Sequence, residues 1–255
     1  MLSIDTGFIF ALRQEAVGIL DRLKRAKMTR GDGWTFYTGK INDMAIAVVL
    51  SGVGQKNAEE AAKKMLDVFE PKSICSAGYA GGLSDRLKHF NICVPEQVLR
   101  ESDGEALCLS ESIPRKTAPM SGKLTLITVN DVVATPEHKR TLFERTGAEI
   151  VDMETFVIAD VCRERNVPCY AFRVVLDVAD DRIPQDIAKI LDNLDKGISR
   201  LSGAILGNIL SRPSVVLDFM SLKKRAFTAA ECLARFAIAE LTRKRENERK
   251  MLDTE

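Results

Sequence analysis

The stretch Ala148-Glu149-Ile150-Val151-Asp152-Met153-Glu154-Thr155, carried on to Pro168-Cys169-Tyr170-Ala171-Phe172-Arg173-Val174-Val175-Leu176-Asp177, decides the fold. Residues 148–151 read as a short apolar strand, 153–165 has helical spacing, and 168–176 is a strand rich in β-branched and aromatic residues. Strands that alternate with helices build a mostly parallel or mixed sheet with both faces covered. Both strands run out into acids: Asp152 with Glu154 just beyond it, and Asp177. An unpaired carboxylate in an apolar setting costs a sizeable part of a domain's stability, so each of these acids needs a partner or a job.

The same alternation extends outward along the chain. Residues 7–12 read as a strand, and 14–26 as a helix through Val17, Leu20 and Leu23. Residues 34–40 and 42–50 read as two strands meeting at Gly39-Lys40, followed by Ser51-Gly52-Val53-Gly54 and a helix over 57–69 that Pro71 ends. A strand over 72–77 breaks into Gly78-Tyr79-Ala80-Gly81-Gly82. Residues 90–99 form a strand interrupted at Pro95, and 124–129 form another, followed by Asp131 and a helix started by Pro136. In open α/β sheets ligands sit beyond the carboxyl ends of the strands. Those ends carry Glu15, Ser51 to Gly54, Ala77 and Gly78 onward, Asp131, Asp152, Glu154 and Asp177.

Composition bounds the function classes. At 255 residues, 45% hydrophobic and 29% charged, the chain fits one large soluble α/β domain or two small ones. A net charge of +1 supplies no overall field for nucleic acid. Six scattered cysteines with no CxxC spacing read as reduced core thiols of a cytoplasmic protein. With only His89 and His138 available, no metal site is expected. No apolar run approaches the roughly 20 residues of a membrane span, and the N-terminus lacks the pattern of a signal peptide.

Each candidate also has a plain structural reading. The two glycine loops match neither full phosphate fingerprint and serve equally as tight turns. Glu15 suits the first turn of a helix, Asp152 an N-cap, Glu154 the turn after it, and Asp177 the end of a strand. What those readings do not explain is why all of them fall at strand ends.

Taken in order, Ala11-Leu12-Arg13-Gln14-Glu15, Ser51-Gly52-Val53-Gly54, Ser76-Ala77-Gly78-Tyr79-Ala80-Gly81-Gly82-Leu83, Val151-Asp152-Met153-Glu154 and Arg173-Val174-Val175-Leu176-Asp177-Val178-Ala179-Asp180 resemble the nucleoside phosphorylase and nucleosidase superfamily. The resemblance is closest to the methylthioadenosine/S-adenosylhomocysteine nucleosidases and covers about the first three quarters of the chain. It implies a three-layer α/β/α sandwich around a central mixed β-sheet, and a reaction at the N-glycosidic bond of a nucleoside without any cofactor.

The residue types suit that chemistry. Cleaving a purine from ribose leaves an oxocarbenium-like sugar and pushes charge onto the base, so an acid must protonate a base nitrogen. Asp177 is the candidate acid, at N7. Glu154 has the two acceptor oxygens that a pair of ribose hydroxyls needs, with Met153 as an apolar surface against the sugar. By resemblance, Glu15 orients or deprotonates the attacking water, and Asp152 takes a capping or supporting place beside the substrate residues. Gly54, Ala77 and Gly78 line the site, and Val133 stands where the family usually stacks an aromatic residue on the base. Leu176 departs from the family as well, because a serine usually precedes the catalytic aspartate. The phosphate-cradling signatures of the phosphorylases are not evident, which favours water as nucleophile; Arg13, Lys56, Arg86 and Lys88 keep phosphorolysis open.

Residues 1–210 are expected to form the catalytic domain and 211–255 a helical extension on the same domain or on a partner. A helix with Ile187, Ile190, Leu191 and Leu194 and an apolar stretch over 198–210 lead into it. A last amphipathic helix carries Phe227, Ala230, Leu233, Ala234, Ala237 and Leu241 on one stripe, flanked by lysine and arginine. It reads as a helix packed on the sheet or on a second subunit, or as an interfacial helix touching membrane. The tail resembles that of the hopanoid-associated phosphorylase subgroup, which implies an adenosyl lipid such as adenosylhopane as substrate.

The expectation is a purine nucleosidase releasing adenine from a 5′-substituted adenosine: methylthioadenosine, S-adenosylhomocysteine or an adenosyl lipid. A phosphate-dependent phosphorylase and a non-catalytic nucleoside-binding protein are the alternatives, and a homodimer is favoured.

Overall fold

The computed structural model describes residues 3–31, 33–110, 124–183 and 213–252, with side chains over 224–246 of the last helix. An eleven-stranded mixed sheet organises the chain, in the order β2-β3-β4-β1-β5-β10-β9-β7-β8, with β11 and then β6 joined to the free edge of β5. The parallel heart is β1 (Thr6–Phe10), β4 (Met44–Leu50), β5 (Ile74–Gly82) and β11 (Cys169–Asp177). On one side β2 (Lys24–Gly31) and β3 (Trp34–Ile41) extend it as antiparallel strands; on the other are β10 (Ile150–Asp152), β9 (Thr125–Thr128), β7 (Gln97–Arg100) and β8 (Ala106–Cys108). β6 (Ile92–Cys93) pairs antiparallel with β11.

Alternation along the central strands sorts side chains between two layers of helix. Phe8 and Phe10 of β1 face α1 (Arg13–Leu20) and α5 (Pro213–Leu252), sharing a core with Ile46, Phe172 and Val174. Ile9, between them, faces α2 (Gln55–Phe69) and α4 (Thr155–Glu164), in a core with Ala47, Val49 and Phe156. The third helix, α3 (Pro136–Thr146), closes a smaller cluster over β9 and β10 through Leu142. The result is the expected three-layer α/β/α sandwich around a mixed sheet.

Three local expectations are corrected. The helix expected over 14–26 ends at Leu20, and Lys24–Gly31 is a strand. All eight residues of β2 are exposed, so no apolar alternation marks them, and pairing with β3 decides their conformation. The turn expected at Gly39-Lys40 falls at Asn42-Asp43, whose φ values of 48° and 65° are those of a tight hairpin. The strand expected to break at Gly78 runs on to Gly82, because β11 pairs with it from Ile74 to Gly81. β8, only three residues long, was not expected.

Helix α5 lies on α1 and β11 of the same chain. Of the expected stripe, Ala230, Leu233, Ala234, Ala237 and Leu241 are buried there, whereas Phe227 is 70% exposed. The expected elements over 187–210 lie outside the described residues. Among the described residues no helix is long and apolar enough to cross a membrane.

Candidate active site

The sheet forks at β5. β1 pairs with Ile74 to Ser76 on one edge, and β10 takes over that edge at Gly81 and Gly82. Between these, from Ala77 to Ala80, no other described strand occupies the edge. A recess opens at this gap, lined by Glu15, Ser76, Ala77, Gly78, Tyr79 and Glu154, with Arg173 behind them. It encloses about 230 Å³ counted to its open mouth. Part of that space is open solvent, so a nucleoside seated here would extend past the recess.

Glu15 reaches the gap from α1. As the third residue of that helix its Oε2 accepts from the Leu12 N–H at 2.8 Å, the glutamate half of a capping box. Oε1 accepts from the Tyr79 N–H of β5 at 2.8 Å. The first-turn reading and the site reading therefore describe one residue. A Cβ at position 78 would stand 2.6 Å from Glu15 Oε1, so only glycine lets β5 pass this close. Burial raises the Glu15 carboxyl above its ordinary value, opposed by the N–H donors of Tyr79 and Leu12 and by the charge of Arg173.

Glu154 stands across the recess, at the start of α4. Its Oε1 accepts from the Gly54 N–H at 2.9 Å, a donor aimed by the φ of 98° at that glycine. Burial and the neighbouring Asp152 carboxylate push Glu154 up to about 8. Asp152 itself is fully engaged. Oδ1 accepts from the Thr128 hydroxyl at 2.7 Å; Oδ2 accepts from the Thr155 N–H and hydroxyl and from Arg173 Nε and Nη2 at 3.1 and 2.8 Å. Arg173 also donates to Ser76 Oγ, Thr155 Oγ1 and the Phe172 carbonyl. Asp152 thus supports the wall on which Glu154 stands.

Asp177 lies farther along the same sheet. Arg173 is opposite Gly78 and Asp177 opposite Gly81, with the register shifting between Val175 and Asp177. Three residues of strand separate the two levels, on the order of 10 Å. Leu176 is the extra residue of this irregularity, and such bulges re-aim the side chains that follow them. The Asp177 carboxylate pairs with Lys139 of α3, whose side chain is wholly excluded from solvent. Burial raises Asp177 and the Lys139 charge pulls it back down. Val133 is buried with Val129, Val151 and Leu83, and Met153 packs at the edge of that cluster.

The structure therefore brings Glu15, Glu154, Ala77 and Gly78 around one recess, with Gly54 bonded to Glu154. It sets Asp177 one level along the sheet, and Met153 and Val133 on the apolar flank. Sequence reasoning missed Arg173 and Lys139 as parts of this region. Helical spacing carries the signal for Lys139, because it lies three residues before Leu142 and the two are the buried residues of α3.

Comparison with known proteins agrees with this fold. The sequence model of the Phosphorylase superfamily matches residues 5–124 and 122–209. Among solved structures, the 5′-methylthioadenosine/S-adenosylhomocysteine nucleosidase of Helicobacter pylori superposes with a TM-score of 0.70 at 19% identity, covering 94% of this chain and 98% of that one. Futalosine hydrolase of the same organism gives 0.70 at 18%, with 94% and 98% covered. The Neisseria meningitidis 5′-methylthioadenosine/S-adenosylhomocysteine nucleosidase gives 0.71 at 16%, with 93% and 98% covered. At these identities the likeness is one of fold; together with the family match over most of its length, it shows that this chain belongs to the phosphorylase superfamily.

Proposed function

We propose that the protein is a purine nucleosidase, hydrolysing the N-glycosidic bond of a 5′-substituted adenosine with release of adenine. The observation that carries this reading is the charge balance of the recess. Two carboxyls line it, Glu15 buried and Glu154 half-buried, and Arg173 is the one cation among its described lining residues. The guanidinium is already committed to Asp152, Ser76, Thr155 and the Phe172 carbonyl. Among the described residues a phosphate dianion would meet two acids and no available cation at the recess, whereas a water molecule finds carboxyl acceptors.

On this reading water sits against Glu15, which takes its proton as the oxygen attacks the sugar C1′. Glu154 holds the ribose hydroxyls from the opposite wall. The base extends toward the Asp177 level, where the Asp177 proton passes to N7 as the glycosidic bond breaks. Lengths support the division of labour: the roughly 10 Å between the two levels suits a sugar at one end and a base at the other. The neighbours named above as acting on methylthioadenosine, S-adenosylhomocysteine and futalosine share this fold, which supports a nucleoside with a 5′ substituent.

The test is to incubate the purified protein with methylthioadenosine, S-adenosylhomocysteine, futalosine, inosine and an adenosyl lipid, with and without phosphate, and to chromatograph the base released. Free base together with free sugar in phosphate-free buffer is the expected result. Release only with phosphate, yielding a sugar 1-phosphate, would convert the reading to phosphorolysis. No release from any of the five would sink it.

A further inference from the structure

Taking Asp177 as the proton donor of the proposed reaction, we propose that Lys139 is its positioning residue, fixing the carboxyl and stabilising the carboxylate formed when the proton leaves. This inference rests on the reading of the function above and adds a residue to it.

Lys139 lies on the buried face of α3, a helix held by the Thr135 cap and by Pro136 in its first turn. Its Nζ donates to Asp177 Oδ2, to the Val178 carbonyl at 2.6 Å and to the Asp181 carbonyl at 3.3 Å. Three acceptors match the three N–H bonds of an ammonium, whereas a neutral amine has two. Two of the three contacts are backbone carbonyls just past the end of β11, so the ammonium is fixed to the strand end that carries the aspartate.

With Oδ2 anchored, no hydrogen bond reaches Oδ1 among the described residues, and this is the oxygen available to a base. In the reaction the O–H bond of Asp177 breaks and an N–H bond forms at N7 of the leaving base. The electron pair stays on Asp177, beside an ammonium already oriented to receive it. Stabilisation that grows with developing charge accelerates the step, and in a dry site it needs no reorganisation. It also supplies what Leu176 cannot, since a leucine side chain offers no hydrogen bond to the acid. Other charges near Asp177 are Asp181, which opposes the carboxylate, and Arg225 of α5, which favours it. His89 engages Asp181 at 2.7 Å.

Steady-state kinetics across pH test the assignment. Asp177 must carry its proton to act, so activity falls on the alkaline side as it ionises. Removing the cation raises the affinity of Asp177 for that proton. Lys139→Met and Lys139→Gln should lower kcat on the order of 10- to 100-fold with a smaller change in KM. Both should move the alkaline limb to higher pH. Lys139→Arg, which keeps the charge, should leave the limb where it is in the wild type. Each is measured on protein shown to be folded by its melting curve; Gln, which keeps a donor for the two carbonyls, carries the comparison if Met does not fold. An alkaline limb that stays put in the Gln variant, or moves equally in the Arg variant, overturns the inference. If base is released by the wild type and lost in Asp177→Asn while the Lys139 limb never moves, this inference alone fails. If the wild type releases no base from any nucleoside, the functional reading fails instead.

Discussion

Two buried ion pairs sit on neighbouring levels of this sheet, and they are built differently. Asp152 and Arg173 are both 2% exposed at their side chains, and every oxygen and nitrogen that could bind a ligand is bonded within the protein. Asp177 and Lys139 are asymmetric: the lysine is wholly buried, the aspartate side chain 12% exposed, and one carboxyl oxygen uncommitted among the described residues. On the proposed reading, saturation marks a strut and incompleteness a working group. Burial alone would not separate them, since both aspartates are scarcely accessible.

Substitutions can break that contrast, and the largest effect should come from the incomplete pair. Asp177→Asn should reduce kcat about 10²- to 10⁴-fold, with a smaller stability loss than disruption of the saturated pair, because Lys139 keeps its two carbonyl acceptors. A variant with wild-type turnover would remove Asp177 from the chemistry. Arg173→Met removes the cation partner of the buried Asp152 carboxylate, which should lower unfolding stability by about 3–5 kcal/mol in urea titration. Unchanged urea midpoints would show that the strut carries no load.

Glu154 offers a subtler check, through pH. Its folded value of about 8 lies above the ordinary value of 4.5, so the folded state binds its proton more tightly than the unfolded one. The stability this contributes is present in full below pH 4.5 and is lost as pH rises to about 8. Melting temperature across that window should fall more steeply in the wild type than in Glu154→Gln, and parallel curves would refute the assignment. The smallest effect belongs to Arg225, whose bond to Asp181 at 3.1 Å joins two side chains that are each about a third exposed. Arg225→Ala should cost no more than about 1 kcal/mol in the same titration. A larger loss would mean that α5 holds the strand end as firmly as Lys139 does.

Much of this architecture was legible in the sequence. The segments around Asp152 and Asp177 announced a strand, a helix and a strand through hydrophobic period, and Pro136 announced α3. Glu15 was legible as both a first-turn acid and a site residue. Failures came where long-range contacts decide. β2 has no buried face, so nothing in Lys24 to Gly31 distinguishes it from a frayed helix until β3 pairs with it. Gly78 to Gly82 reads as a break because glycine has low intrinsic strand preference, yet β11 imposes the extended form. Lys139 was hidden for a further reason: a lysine in a polar helix looks solvated, and only the approach of the β11 end makes it buried.

The forked strand also has a consequence for how the protein comes into being. Walls of the recess are drawn from Ile9, Ser51, Ser76, Glu154 and Arg173, so every wall is brought to its neighbours across a long loop of chain. Contacts of that kind form slowly, because the entropy of closing each loop is lost before the contact rewards it. A nascent chain emerging from the ribosome holds β1, β4 and β5 long before β10 exists, and until then the gap in the sheet has one side only. The site is thus assembled all at once and late, and partly folded chains carry its residues without its geometry.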